Sequence, residues 1–302
     1  MSTPDLLVTG AGGKLGQRVL HHLLTTLDIP ASRIAAASRK PEVLADWTAK
    51  GVTVRAADFD DAASLAKAFA GVGRLLLIST DTLDKPGHRL VQHRSAIDQA
   101  VKAGVRHVVY TSMPKPEGSA LLFAPDHAGT EAYLAASALP EWTVLRNNWY
   151  FENLFFSLPS ALVLGSWYSA AGEGKIAHIA RDDLGRAAAA ALSGATKGKT
   201  TLTLSGAKGY STAEIAALVA KTAGKPLSVV PVPVDGLIQG MVAHGLPEPI
   251  ARVFASIDTN TAQGGLADAT RDYKALTGAE PQSFEAWLAE NKAVLASLSH
   301  PS

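Results

Sequence analysis

A glycine-rich turn near residue 10 constrains the fold of this chain more than any other feature of its sequence. It follows a short apolar run at residues 6–8 and precedes a segment in which apolar residues recur at helical spacing from Leu15 to Leu27. A strand, a tight turn and a helix in this order form the first unit of doubly wound α/β folds. The sequence therefore predicts such a unit over residues 6–27.

The glycines of the turn have distinct expected roles. Gly10 permits the sharp turn out of the strand, and Gly16 lets the helix lie close to the sheet. Gly12 and Gly13 let a phosphate approach backbone N–H groups at the helix N-terminus, which favours negative charge. We therefore expect a dinucleotide site, the alternative being a purely structural turn. The expected cofactor-binding residues of this unit are Gly10, Gly12, Gly13, Lys14, Leu15 and Gly16.

Further apolar runs alternate with helical patterns along the first half of the chain. Strands are predicted at residues 33–39, 52–58, 74–79, 107–112 and 142–147, and the intervening helices include 61–70 and 126–137. Because these runs are almost continuously apolar, they indicate a parallel sheet covered by helices on both faces. The predicted fold is α/β, a Rossmann-type doubly wound parallel sheet with a smaller C-terminal substrate lobe.

The pattern changes after residue 148, where aromatic residues crowd together and the predicted strands become short. This change indicates a second structural unit. We expect an NADP-binding Rossmann domain at residues 1–150 and a smaller substrate-binding lobe at residues 151–302. Residues 176–205 are expected to return to the Rossmann domain.

Within the second unit, capping and turn signals predict individual elements. Ser211 and Glu214 have the spacing of a capping box and predict a helix that ends near Gly224. Residues 229–234, with prolines nearby, are expected to form an edge strand or an extended linker. Ser283 is expected to cap one final helix.

Charge and cysteine content exclude several classes of protein. Lys and Arg number 28, Asp and Glu number 27, and neither sign forms long runs, so nothing favours nucleic acid or a membrane surface as a partner. The chain has no cysteine, which excludes disulfides and thiolate catalysis. We expect no cleavable leader and no membrane span, and hence a cytoplasmic protein. The expected partner is a small-molecule substrate, and the expected oligomeric state is a monomer or homodimer.

The residues that follow the second predicted strand indicate which nucleotide is bound. An Asp or Glu there would bind the ribose of NAD, but this chain has Arg39 and Lys40, which suit the 2′-phosphate of NADP. The alternative is that both are solvated loop charges. Asp58 would meet the adenine edge or cap a helix, and Ser79 would flank the pyrophosphate or nicotinamide ribose or cap its strand. Beyond the turn, the expected cofactor-binding residues are Arg39, Lys40, Asp58, Ser79, Thr111 and Ser112.

Seven segments together carry a resemblance to a known family. They lie at residues 9–16, 38–41, 57–58, 104–112, 127–131, 145–153 and 181–184. Through them the chain resembles the NmrA-like branch of the atypical short-chain dehydrogenases/reductases, and within it the group of type 2 NAD(P)H:quinone oxidoreductases and triphenylmethane reductases. The His-x-x-Thr-Glu pattern beginning at His127 and the Leu-Arg-Asn-x-Trp-Tyr-x-Glu-Asn run at 145–153 are the more specific parts of the likeness.

The chain departs from the wider superfamily on the helix after the fifth strand. Most of those reductases carry a Tyr-x-x-x-Lys pair there, which supplies a proton, whereas this chain has His127 and Glu131 in that region. Reduction of a quinone depends less on a protein acid than reduction of an unactivated carbonyl, because hydride addition gives a hydroquinone anion that water can protonate. We expect His127 to move any remaining proton, with Glu131 orienting it and raising its pKa. The alternative is that His127 only caps or packs.

A polar and aromatic run after the sixth strand is the expected acceptor site. Aromatic faces there could stack a flat substrate against the nicotinamide, and asparagine amides could hold its oxygens or the carboxamide. The alternative is a hinge core between two lobes. The expected residues are Asn147, with a catalytic role, and Met113, Asn148, Trp149, Tyr150 and Asn153, which contact the substrate. No metal-ligand spacing is present in the sequence.

Two functional hypotheses remain open at this point. The first is an NADPH-dependent oxidoreductase that passes hydride directly to quinones or similar flat electrophiles without flavin, so that its expected partner is a small aromatic or quinone substrate. The second is an NADP(H)-binding redox sensor that controls a partner without turnover. The run at 147–153 favours the enzyme, and an isomerase or epimerase is disfavoured by the missing tyrosine and lysine.

Overall fold

The computed structural model describes residues 4–83 and 85–298, and its elements follow the predicted alternation closely. The strands are β1 Leu6–Val8, β2 Ile34–Ser38, β3 Thr53–Ala56, β4 Arg74–Leu77, β5 His107–Ser112, β6 Glu141–Asn147, β7 Ser166–Ser169, β8 Lys175–Ile176, β9 Lys199–Leu204, β10 Tyr210–Ser211 and β11 Ser228–Pro231. The helices are α1 Lys14–His21, α2 Ala45–Ala49, α3 Ala62–Phe69, α4 His88–Lys102, α5 Ala124–Ala136, α6 Leu158–Leu164, α7 Arg181–Ala190, α8 Thr212–Ala223, α9 Val234–Ala243, α10 Glu248–Ala262, α11 Asp272–Thr277, α12 Phe284–Glu290 and α13 Lys292–Ser297. Short 3₁₀ or π turns cover Ala31–Arg33, Pro41–Leu44, Phe151–Phe156, His22–Thr26 and Ala191–Ala195.

Seven parallel strands form the central sheet, in the order β3-β2-β1-β4-β5-β6-β9. The order reverses beside β1, whose Val8 pairs with Ala36 of β2 on one side and Leu76 of β4 on the other. In open α/β sheets a ligand binds outside the carboxyl ends of the strands at this point of reversal. The predicted doubly wound parallel sheet is confirmed.

Alternate residues of β1 enter two cores, one on each face of the sheet. Leu6 and Val8 pack in the core that α1 and α7 cover, and Leu7 packs in the core under α3, α4 and α5. Successive side chains of a strand point to opposite faces, so a strand buried on both sides must be apolar throughout. This explains why the strands are continuous apolar runs in the sequence.

The second unit has its own apolar core and two small sheets. Phe151, Phe284 and Trp287 lie in that core, β7 pairs in parallel with β11, and β8 pairs antiparallel with β10. The predicted segment at 229–234 is thus the short strand β11 followed by the beginning of α9. In the described part of the chain, no helix is long and apolar enough to cross a membrane.

The predicted ends of α8 are confirmed, whereas the single final helix is wrong. Ser211 and Glu214 form the capping box of α8, and Gly224 ends it in the left-handed conformation. Ser283 does cap α12, since its side chain accepts a hydrogen bond from Ala286 N. The helix stops at Asn291, whose side-chain amide donates to Trp287 O at 2.8 Å, and α13 begins after it. Asn favours such breaks because its side chain competes for the backbone groups of the helix.

Candidate active site

A cavity of about 800 Å³ lies at the carboxyl ends of β1, β2 and β4. Most of the predicted cofactor-binding residues line it. They are Gly10, Gly12, Gly13, Lys14, Leu15, Gly16, Arg39, Lys40, Asp58 and Ser79. Thr80, Asp81, Thr82 and Gln92 also line the cavity and were missed by the sequence analysis. Their signal was weak, because three of them belong to an irregular loop after β4 and Gln92 is an ordinary helix residue.

The glycine turn fits a bound phosphate in three ways. Gly10 has φ +60°, a conformation that favours glycine. A Cβ at Gly16 would lie 2.4 Å from Gly10 O, and a Cβ at Gly12 would lie 2.8 Å from a methyl of Val43. The first turn of α1 holds no acidic residue, and among the described residues no side chain caps its backbone N–H groups. These donors are therefore available to an anion at the helix N-terminus.

The charged residues of the cavity favour a phosphate near β2. Arg39 and Lys40 follow β2 and are exposed, and Lys40 N is held by Ser38 Oγ at 3.1 Å. The helix that follows β3 is capped by Asp61, whose carboxylate accepts from Ala63 N and Ser64 N. Asp58 is therefore not the cap of that helix. It accepts from Asp60 N at 3.0 Å and also lines the cavity.

Side chains from three neighbouring elements fix the backbone that follows β4. Ile78 N donates to Thr9 Oγ1 at 3.1 Å, and Ser79 N donates to Thr111 Oγ1 at 2.9 Å. Thr80 N donates to His93 Nε2 at 3.0 Å. Thr111 does not itself line the cavity, and it contributes by fixing the backbone of Ser79, which does.

The protonation of His127 follows from its two hydrogen bonds. Arg89 donates to His127 Nε2 at 3.1 Å, and because a guanidinium can only donate, this ring nitrogen must accept. The other ring nitrogen, Nδ1, therefore carries the proton and donates to Tyr110 Oη at 2.8 Å. Burial, followed by the charge of Arg89, lowers the pKa of His127 well below its ordinary value. His127 is neutral and both of its nitrogens are bonded inside the protein.

The same reasoning assigns His93, which joins this cluster to the segment after β4. Its Nε2 accepts from Thr80 N, so its Nδ1 donates to Thr130 Oγ1 at 2.9 Å, and Thr130 in turn donates to Asp126 O. Burial lowers the pKa of His93 to about 3. Arg89 also donates to Thr80 O at 2.8 Å. The cluster around His127 therefore holds Thr80 by both of its backbone groups.

The predicted pairing of Glu131 with His127 is wrong. Glu131 accepts from Ser112 Oγ at 2.5 Å and forms an ion pair with Arg146, whose Nη2 lies 2.5 Å from Oε2. The pKa of His127 is consequently lowered by burial rather than raised by a carboxylate. Ser112 is committed to this ion pair and does not line the cofactor cavity.

The residues that follow β6 differ in whether their polar side-chain atoms already have hydrogen-bond partners. Asn148 is committed, because its amide donates to Leu266 O and its carbonyl accepts from Trp149 N. Burial raises the pKa of Tyr150, which packs against the core on the α1 side of the sheet. Asn147 is different: its Oδ1 is buried and has no hydrogen-bond partner among the described residues. An orphaned acceptor at the end of a strand fits an amide donor from a ligand.

A second cavity, of about 360 Å³, lies in the smaller unit. Trp149 and Asn153 line it, as predicted for the acceptor site, together with Trp167, Phe254 and Asp258. The other predicted residues of the acceptor site do not line it, namely Met113, Asn147, Asn148 and Tyr150. Met113 instead packs with Leu121 and Ala124 in a small core. The ring of Trp149 also stacks on Phe123, with centroids 6.5 Å apart, and Phe123 contacts His127 edge to face.

Comparisons with known proteins agree over nearly the whole chain. Residues 2–288 match the NmrA-like family. Quinone oxidoreductase 2 of Escherichia coli (strain K12) is 37% identical over 273 residues, which are 90% of this chain and 93% of that protein. The crystal structure of an NADPH-dependent quinone oxidoreductase from Escherichia coli with NADPH has a TM-score of 0.88 at 37% identity, over 96% of this chain and 99% of that one. Triphenylmethane reductase of Citrobacter sp., complexed with NADP(H), has a TM-score of 0.87 at 31% identity, over 95% and 99%.

Proposed function

The chain belongs to the NmrA-like family, and from this premise we propose that it is an NADPH-dependent reductase that passes hydride directly to quinones or similar flat electrophiles, without flavin. The observation that carries the choice of acceptor is the state of His127. Both of its nitrogens form hydrogen bonds inside the protein, which supports a reaction in which His127 supplies no proton. Such a site suits acceptors that require no protein acid. The relatives named quinone oxidoreductase and triphenylmethane reductase support the same class of acceptor.

In this proposal the first cavity holds the cofactor. The amides of the glycine turn bind the pyrophosphate, and Arg39 with Lys40 binds the 2′-phosphate. The fixed backbone at Ser79 adjoins the nicotinamide ribose. Asn147 lines neither cavity, and its unpaired Oδ1 is the acceptor that we expect to bind the carboxamide. The chemistry that NADPH supplies when bound is the transfer of a hydride, two electrons and one proton, from its nicotinamide ring.

The second cavity holds the acceptor. Trp149 stacks on its flat ring, and the Asn153 amide holds one of its oxygens. Addition of hydride to a quinone gives a hydroquinone anion, which takes its second proton from water. The protein's contribution is to bring the two rings together and to exclude alternative orientations.

The first test is the loss of NADPH absorbance with a small benzoquinone, without added flavin and against a protein-free control. We expect many turnovers per protein molecule. Tight NADPH binding with no turnover on quinones, cationic dyes or aldehydes would contradict the proposal and favour the redox sensor.

Direct transfer is tested with NADPH deuterated at C4 and a triarylmethane cation as acceptor. Hydride then arrives at carbon, where the label cannot exchange with water. We expect one of the two C4 deuterium epimers to label the product fully. Loss of the label to solvent would contradict direct transfer, because the N–H hydrogen of a reduced flavin exchanges.

A further inference from the structure

Asp258 is an acidic side chain in the aromatic second cavity that the proposed reaction does not use. It lies on α10 and lines the cavity together with Trp149, Trp167 and Phe254. The side chains of the lining include no Lys or Arg. A carboxylate in an aromatic cavity without a cationic partner is costly unless a ligand or hydrogen bonds stabilise it.

The hydrogen bonds that Asp258 receives leave part of the carboxylate unused. Ser169 Oγ donates to Oδ2 at 2.8 Å, and Ala170 N donates to the same oxygen at 2.7 Å. Within residues 4–83 and 85–298, no Lys, Arg or His forms an ion pair with this carboxylate. Ala171 N is a further backbone donor to this carboxylate. Both of the bonds with stated distances fall on Oδ2, so Oδ1 carries the remaining acceptor capacity.

Among the described residues, neither histidine of the cavity forms an ion pair with this carboxylate. Burial lowers the pKa of His178 to about 4, so His178 is neutral at physiological pH. His244 is exposed, and its Nδ1 donates to Gly240 O at 2.9 Å. Aromatic faces and a carboxylate together form a surface that attracts cations and N–H donors and repels anions.

We propose that Asp258 is a specificity-determining residue, which selects flat quinone-type acceptors that bring a cationic or N–H group to its carboxylate and rejects acidic ones. This inference rests on the proposed function for its reaction. Each such acceptor takes a hydride from NADPH and a proton from water to give the hydroquinone and NADP⁺. Asp258 takes no part in that transfer and acts only on binding.

The experiment uses three naphthoquinones that differ chiefly in charge. They carry a 2-trimethylammoniomethyl, a 2-methyl or a 2-sulfonate group, and the chain has no cysteine for them to arylate. Calorimetry on the complex with NADP⁺ gives their Kd without turnover, and steady-state assays with NADPH give kcat and KM. For the wild type we expect the cation to bind about tenfold more tightly than the anion.

The matched variants are Asp258→Asn and Glu248→Gln. The asparagine keeps an oxygen for Ser169 and Ala170 but removes the charge, and Glu248 lies on the same helix, exposed and paired with Arg252. In D258N we expect the Kd of the cationic quinone to rise about tenfold and the Kd of the neutral quinone to change by no more than about twofold. The anionic quinone should bind more tightly than it does to the wild type. E248Q should leave all three unchanged.

Two results would overturn the assignment. One is a wild type that binds the anion as tightly as the cation, a measurement that requires no variant to fold. The other is an equal loss for all three quinones in D258N, which would indicate that Asp258 only supports the turn at Ser169. Charge selectivity in binding without NADPH oxidation would contradict the proposed function and leave the role of Asp258 intact.

Discussion

Acid should destabilise this protein well above the pH at which carboxylates titrate, because burial lowers the pKa of several histidines, three of them strongly. Burial lowers the pKa of His93 to about 3 and that of His178 to about 4. It also lowers the pKa of His127 well below its usual value. In the unfolded chain each has the ordinary value of 6.5.

The sign and size of the effect follow from proton linkage. Because these pKa values are lower in the folded chain, the unfolded chain binds more protons than the folded chain around and below pH 6.5. The free energy of unfolding therefore decreases as the pH is lowered. Each histidine contributes a loss of about 1.2 kcal/mol between pH 7 and pH 5.5, and the three together about 4 kcal/mol. Typical domains have only about 5–15 kcal/mol to lose.

Urea denaturation at pH 7 and at pH 5.5 measures the difference. We expect the midpoint to fall by about 1 M between the two. His178→Asn should remove about a third of the pH dependence, while His244→Gln, at an exposed position, should leave it unchanged. Equal midpoints at the two pH values, or a full pH dependence in the His178 variant, would refute the reasoning.

Three further predictions concern the cofactor cavity and the cluster beside it. Arg39→Ala should weaken NADPH binding about 5- to 30-fold and should change the Kd of NADH by no more than about twofold. Titration with each cofactor measures the two Kd values, and equal losses for NADPH and NADH would refute the 2′-phosphate assignment. Gly16→Ala should lower NADPH affinity at least about tenfold, because the added Cβ would lie 2.4 Å from Gly10 O. The control is Gly240→Ala, where the added Cβ meets open space, and this variant should bind NADPH as the wild type does. His127→Asn should lower the free energy of unfolding by about 2–4 kcal/mol through the loss of partners for Arg89 and Tyr110. The pH profile of quinone reduction should keep its shape in that variant, and loss of an ionisation near neutrality would restore His127 as a proton donor.

The sequence predicts the sheet well because a strand that is buried on both faces requires apolar residues at consecutive positions. β5 begins and ends where the pattern predicts, at His107 and Ser112. The glycine turn is also predictable from the sequence, because the φ of Gly10 favours glycine and only glycine fits the close approach at Gly16. The domain boundary at residue 150, the oligomeric state and the roles of the site residues stay predictions.

The sequence predicts side-chain partners less well, because they depend on packing between distant segments. Spacing of one helical turn suggested that Glu131 orients His127, yet Glu131 faces Arg146, fifteen residues further along the chain. Arg89 is 38 residues from His127 and gives no local signal of the contact. Asp258 belongs to a helix far from the predicted acceptor run, so only the fold brings it to Trp149.

These partners also suggest how the chain manages without the tyrosine and lysine of related reductases. The helix that carries that pair elsewhere is α5, and here its His127 and Thr130 serve a cluster that holds Thr80 by two backbone bonds. Thr80 lines the cofactor cavity, so we expect this helix to act on cofactor position rather than on proton transfer. A site with a fixed cofactor and no acid can reduce only acceptors that are already strong electrophiles. Under the proposed function the choice among such acceptors falls to the second cavity, which Asp258 lines and where we propose that it distinguishes them by charge.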